Sequence, residues 1–132
     1  MKIVSISEDK NIERRVAITP EIAKKYLSFG FEITISENYG DHLGFKDDEY
    51  KNLGVKISNN NNEILESGDI IVQLNLLSDK NLSSLKEGQI LVGVLNPYEN
   101  MNKIKDLIKK KINNFSLELL PRITRAQSMD IL

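Results

Sequence analysis

The 132-residue chain contains no cysteine, so neither a disulfide framework nor a thiolate metal site is available to it. It also lacks a surplus of charge. Eighteen basic residues face nineteen acidic ones, leaving a formal net charge of −1. Electrostatic nucleic-acid binding needs a basic surplus gathered on one face, and none is visible. No apolar run approaches the roughly 20 residues of a membrane-spanning helix. The start, Met1-Lys2-Ile3-Val4, has no long apolar segment followed by a small-residue cleavage site, so it does not read as a signal peptide. These absences leave a globular domain, most simply a cytosolic one. With 40% hydrophobic residues it can build one core but not two.

Short β-branched runs alternate with amphipathic helical patterns. Strands are expected at 3–6, 32–36, 55–57, 70–74, 90–95 and 115–119. Thr19-Pro20 is a cap followed by proline at the first helical position. It opens a helix whose apolar face is Ile22, Ala23, Tyr26 and Leu27, and Gly30 ends that helix. A short acidic helix is expected over 45–53, helical turns over 63–66 and 80–85, and a helix over 101–110 capped by Asn100. A last helix is expected to begin near Arg125, with Thr124 as its cap. Asn59 to Asn62 reads as a polar turn. Lys109-Lys110-Lys111 reads as the solvated end of a helix, where cations complement the dipole. Strands separated by helices predict an α/β fold. We expect a doubly wound, mainly parallel sheet in a single Rossmann-like or flavodoxin-like domain over residues 1–132.

In such a fold a nucleotide's pyrophosphate would want a glycine-rich turn after the first strand. That turn is Ser7-Glu8-Asp9-Lys10-Asn11, without glycine, and the phosphate-loop pattern is absent too. The chain has the architecture of a dinucleotide binder without its fingerprint. His42, the one histidine, lies in a turn-rich loop and reads as a solvated surface residue. Glu8, Asp9 and Glu13 are spaced too irregularly for a metal and read as a solvated loop. Arg14-Arg15 precedes a buried step and a capped helix. The planar guanidinium fork serves a ligand carboxylate or phosphate as well as an ion pair with Glu13 or Glu37, and both readings stand.

The segment Pro121-Arg122-Ile123-Thr124-Arg125-Ala126-Gln127-Ser128-Met129-Asp130 is the strongest candidate site. It places a polar cluster after a strand, where open α/β sheets bind ligands. Gln127 and Asp130 share one helix face. A carboxamide both donates and accepts, which suits recognition of another amide such as that of nicotinamide. An ordinary helix cap, with Asp130 paired to an arginine, is the competing reading. The sequence stops inside this apparent helix, so we expect the cleft to be completed elsewhere.

Arg14-Arg15-Val16-Ala17-Ile18-Thr19-Pro20 resembles the "RVALTP" signature shared by alanine dehydrogenases and the alpha subunit of proton-translocating NAD(P) transhydrogenase. The opening Met1-Lys2-Ile3-Val4, the loop from Gly40 to Gly44-Phe45 and the run Glu87-Gly88-Gln89-Ile90-Leu91 follow the same N-terminal domain. The resemblance spans essentially the whole chain. Alanine dehydrogenases place a substrate-binding lysine and a catalytic histidine where this chain has Asn75 and Asn96; of the amino-acid-site residues only Arg15 remains. The segment from Pro121 to Asp130 resembles the transhydrogenase "PRISRAQSMD", with threonine replacing serine at 124. The sequence is thus identified with the transhydrogenase branch.

The resemblance implies half of an NAD(H) site, whose other half carries the glycine fingerprint. Arg122, Ile123, Thr124, Arg125 and Gln127 would lie beside the nicotinamide. Arg122 and Gln127 would position its carboxamide and ribose, and Asp130 would support them. Hydride would pass to NADP(H) on a partner component, coupled to proton movement through a membrane component. The full subunit would be a homodimer, cytoplasmic and peripheral to the inner membrane, with no nucleic-acid partner. The fragment alone is expected to be inactive. An alanine dehydrogenase-like amino-acid dehydrogenase and a non-catalytic ligand-binding module are the alternatives.

Overall fold

A computed structural model describes residues 1–94 and 100–116. Six strands, β1 (Lys2–Ser5), β2 (Glu32–Ser36), β3 (Lys56–Ser58), β4 (Ile70–Asn75), β5 (Ile90–Val94) and β6 (Asn113–Ser116), form one sheet in the order β3-β2-β1-β4-β5-β6. Every pairing is parallel. The α/β, doubly wound expectation holds, and the sheet is wholly parallel among the described residues. The order reverses direction between β1 and β4: the chain runs outward from β1 through β2 to β3, crosses over, then runs outward from β4 to β6.

The helices are α1 (Pro20–Ser28), α2 (Asp47–Leu53), α3 (Asn61–Ser67), α4 (Asp79–Leu82) and α5 (Met101–Lys109). Alternation along the strands divides the core between two faces. Ile3, Ile33, Ile35 and Val72 pack with Ala23, Tyr26 and Tyr50 of α1 and α2. Val4, Ile71 and Leu91 pack with Ile64, Leu65, Leu82 and Leu107 of α3, α4 and α5. Both faces are therefore covered, as a parallel sheet requires.

Local chemistry sets the boundaries. The Thr19 hydroxyl accepts from the Ile22 N–H at 3.2 Å, and Pro20 occupies the first turn. Gly30, at φ +93°, turns the chain out of α1. Gly68 has a different reason: a Cβ there would overlap Val4 Cγ2 and come within 2.9 Å of its Cγ1, so only glycine lets this backbone approach β1.

Several boundaries differ from expectation. The asparagine tract is not only a turn. The Asn60 side chain accepts from Glu63 N at 3.1 Å, and Asn61 and Asn62 form the first turn of α3. The acidic helix begins at Asp47, because Phe45 is drawn into a bridge with Gly40. The last strand begins at Asn113 rather than Phe115. It is a sheet edge held by backbone pairing to β5, and Phe115 remains 56% exposed. Lys109, Lys110 and Lys111 are exposed at the end of α5, as expected. Among the described residues no helix is long and apolar enough to cross a membrane. The continuation of the last strand to Leu119, the helix near Arg125, and Asn96 lie outside the described residues.

Candidate functional site

The sheet opens where β1 and β4 part. Their ladder registers Ile3 with Ile70 and Val4 with Ile71, then stops. Beyond it Gln73 bridges the gap with its side chain. Its Oε1 accepts from Ile6 N at 2.7 Å and from Ser5 Oγ at 3.1 Å. Its Nε2 donates to Ile6 O at 3.1 Å and to Glu8 Oε2 at 2.7 Å. A primary amide carries the same donor and acceptor as a peptide group. Gln73 thus substitutes for the missing rungs while the two backbones separate. It is 2% exposed, and all of its hydrogen-bonding groups are used within the fold.

Glu8 fastens the other side of the opening. Its carboxylate accepts from Leu74 N at 2.9 Å and Asn75 N at 3.3 Å, besides the Gln73 amide. Burial raises the carboxyl above its ordinary value, while these N–H donors pull it down. Glu13 has the opposite balance. The Arg15 guanidinium grips both of its oxygens, Nε to Oε2 at 2.9 Å and Nη2 to Oε1 at 2.8 Å. That grip, with a contribution from the Asn75 side chain, holds the Glu13 carboxyl down to about 2. The Glu13 side chain is 12% exposed and that of Arg15 78%.

A buried hydroxyl post supports this edge from beneath. The Tyr39 hydroxyl lies 2.9 Å from Ser5 Oγ and accepts from Ile18 N at 3.1 Å, and the Tyr50 hydroxyl donates to Ile18 O at 2.8 Å. The two rings pack edge to face at 6.0 Å. Burial pushes the Tyr39 hydroxyl up to about 12, so it remains a neutral donor. The segment Val16-Ala17-Ile18 is therefore pinned on both its N–H and C=O sides ahead of α1.

Above the strand ends lies a cleft of about 440 Å³. Ile6, Ser7, Glu8, Gln73, Asn75 and Lys103 contribute to its lining. It sits at the carboxyl ends of β1 and β4, where the strand order reverses and open α/β sheets bind ligands.

Two expectations need correction, and one open choice is decided. His42 is half-buried rather than solvated, because its Nε2 bonds the Arg14 carbonyl oxygen. Glu8 and Glu13 are not a solvated loop: one is tied to β4, the other to Arg15. Of the two readings for the arginine pair, Arg15 takes the ion pair with Glu13. Among the described residues no three histidine or acidic side chains gather into a metal-ligating group. Asn75 stands at the end of β4, facing two carboxylates. The candidate residues Arg122, Ile123, Thr124, Arg125, Gln127 and Asp130 lie outside the described residues. Sequence reasoning missed Gln73 and Glu8. Their one signal was a glutamine interrupting the apolar run Ile70-Ile71-Val72, since a buried amide in a central strand must find partners.

Residues 5–132 match the family described as alanine dehydrogenase/PNT, N-terminal domain. An NAD(P) transhydrogenase alpha-subunit polypeptide of Rickettsia prowazekii is 43% identical over 136 residues, and its counterpart in Rhodospirillum rubrum 35% over 137. Each alignment takes in 100% of this chain and 36% of the relative. A transhydrogenase structure from Sinorhizobium meliloti superposes with a TM-score of 0.88 at 32% identity, covering 97% of this chain and 38% of that one. An L-alanine dehydrogenase superposes at 0.83 with 20% identity, covering 89% of this chain and 32% of that one, which is a likeness of fold. The chain spans about a third of the length of the relatives it matches.

Proposed function

The chain belongs to the alanine dehydrogenase/PNT N-terminal domain family, and from that premise we propose that it is one wall of an NAD(H) site in a proton-translocating NAD(P) transhydrogenase. The observation that carries the reading is the cleft at the carboxyl ends of β1 and β4, in a chain similar over its whole length to transhydrogenase alpha subunits. The residues in hand fit the nicotinamide end of the dinucleotide and not its phosphates. The turn after β1 has no glycine and presents Glu8 and Asp9, which would repel a pyrophosphate. A second domain would carry the phosphate grip.

Arg122 and Gln127 would hold the carboxamide and ribose, beside Ile123, Thr124 and Arg125, with Asp130 bracing them. The bound dinucleotide supplies the hydride. The protein's own part is placement: fixing the ring, aligning it and excluding water. No side chain needs to act as acid or base in this step. The acceptor, NADP(H), would sit on a partner component, and proton movement would occur in a membrane component. We place the chain at the cytoplasmic side of the inner membrane, peripheral to it through those partners, within a homodimeric subunit.

An amino-acid dehydrogenase is disfavoured. Asn75 has no charge to offer a substrate carboxylate, and Arg15 is already engaged by Glu13. Stopped-flow transfer rates of Gln127→Asn in the complete subunit with its partners test the proposal. A slower transfer with little change in NADH affinity is expected. An unchanged rate removes Gln127 from the mechanism.

A further inference from the structure

We propose that the turn at residues 9–13 is a preformed docking point, and that its exposed Ile12 side chain, with Leu43 of the adjoining turn, anchors the component that carries the hydride acceptor; this rests on the reading of the cleft as the nicotinamide end of a dinucleotide site. Hydride passes only between rings in contact, with the reacting atoms about 3–3.5 Å apart. A ring seated in this cleft is reached over its mouth. Whatever delivers the acceptor must therefore press against the residues that rim the opening. Ile12 is one of those lining residues.

Ile12 is 78% exposed and Leu43 41%, and neither belongs to the core on either face of the sheet. A single exposed aliphatic side chain carries no meaning by itself. What singles out Ile12 is the fastened backbone beneath it. The Asp9 carbonyl oxygen accepts from Ile12 N at 2.9 Å and from Glu13 N at 2.8 Å, and the Asp9 carboxylate accepts from Asn11 N at 3.0 Å. One residue thus closes the turn with three bonds. Lys10 Nζ donates to Asn38 O at 3.0 Å, which ties the turn to the end of β2. On its far side the Arg15 fork grips Glu13, and His42 bonds the Arg14 carbonyl oxygen. All of these contacts are polar. The fold gains no burial from isoleucine at this position.

His42 also draws its own turn, Asp41–Leu43, against this loop. Gly40 and Phe45 close the base of that turn in an antiparallel bridge. Two aliphatic side chains are thus exposed on two fastened turns, which follow the carboxyl ends of β1 and β2. An apolar contact on a fixed backbone loses little conformational freedom on binding, which is the property of an interface anchor. The partner it fits is a protein surface with an apolar recess. Phe29 supplies the contrast: it is 64% exposed, but it follows α1 at the amino ends of the strands, away from the cleft.

The experiment uses the full-length subunit and the separately prepared NADP(H)-binding component. Stopped-flow hydride transfer from NADH is followed at rising concentrations of that component loaded with NADP⁺, and NADH affinity is measured by equilibrium dialysis. Ile12→Asp should raise the half-saturating component concentration about thirty-fold and Leu43→Asp about ten-fold, the range of interface hot spots. NADH affinity should stay within about two-fold in both, as for surface substitutions away from a site. Phe29→Asp should change neither quantity. An Ile12→Asp subunit that saturates at the wild-type concentration overturns the anchor. A matched loss of NADH affinity also overturns it, since Ile12 would then pack on the ring or on the subunit's own second domain. Equal weakening by Phe29→Asp does the same. If the wild type binds NADH but passes no hydride to the component, the transhydrogenase reading falls and the anchor with it. Should Ile12→Asp not fold, Ile12→Ala decides, with an expected rise of about ten-fold.

Discussion

Replacing Gln73 with leucine keeps side-chain volume nearly constant and removes four hydrogen bonds, so it separates polar bridging from packing. Two of the partners recover. Ser5 Oγ retains Tyr39, and Glu8 retains Leu74 N. The Ile6 N–H and C=O do not, because Ile6 is 2% exposed and both groups pointed at the amide. A buried backbone group left unsatisfied costs about 1–3 kcal/mol, so the pair costs about 2–6. Added leucine burial offsets about 1 kcal/mol. The net loss should be about 3 kcal/mol, a large share of the 5–15 kcal/mol typical of a domain. Urea unfolding of the chain, followed by circular dichroism, should show a midpoint lowered by about 1–2 M at unchanged slope. A loss below about 1 kcal/mol would mean that water from the cleft serves Ile6 equally well, and the side-chain bridge would cease to explain how β1 and β4 separate.

Gly68→Ala drives a Cβ into the Val4 side chain, and thermal melting should reveal a loss of at least the 1–3 kcal/mol typical of overpacking. Tyr50→Phe deletes the bond to Ile18 O and should cost about 1–2 kcal/mol in the same assay, with wild-type stability counting against the hydroxyl post. The Glu13 carboxyl lies at about 2 against an ordinary 4.5, so its stabilising contribution is complete above 4.5 and is lost as pH falls through about 2. An NMR titration of the Glu13 side chain should give a midpoint near that lower value, and Arg15→Ala should return it toward 4.5. A midpoint already near 4.5 in the wild type would dissolve the ion pair.

The strand–helix alternation was legible because each apolar run is short and punctuated. Thr19-Pro20 and Gly30 marked helix ends by rules that act within a few residues. The architecture followed from two nearly continuous apolar strands, which must be buried on both faces. What was hidden depends on distant partners. Asn61 and Asn62 have low helix propensity, but Asn60 caps them and Ile64 and Leu65 bury beneath, so packing overrode the local preference. The start of edge strand β6 at Asn113 hid because its pairing there runs through backbone rather than through apolar side chains. In the site, spacing alone could not bring Glu8 to Leu74 or Tyr39 to Ser5, since those contacts cross 66 and 34 residues. Glu13 and Arg15 were within reach of sequence reasoning, yet the choice between ligand and ion pair needed the guanidinium's direction.

The cleft between β1 and β4 as the seat of the nicotinamide is tested most directly by hydrogen exchange on the full-length subunit with and without NADH. Exchange at the backbone of Ser7, Glu8 and Asn75 should slow on binding, while the outer strand β3 is unchanged. Binding that leaves those residues unaltered and protects a different edge of the sheet would contradict it.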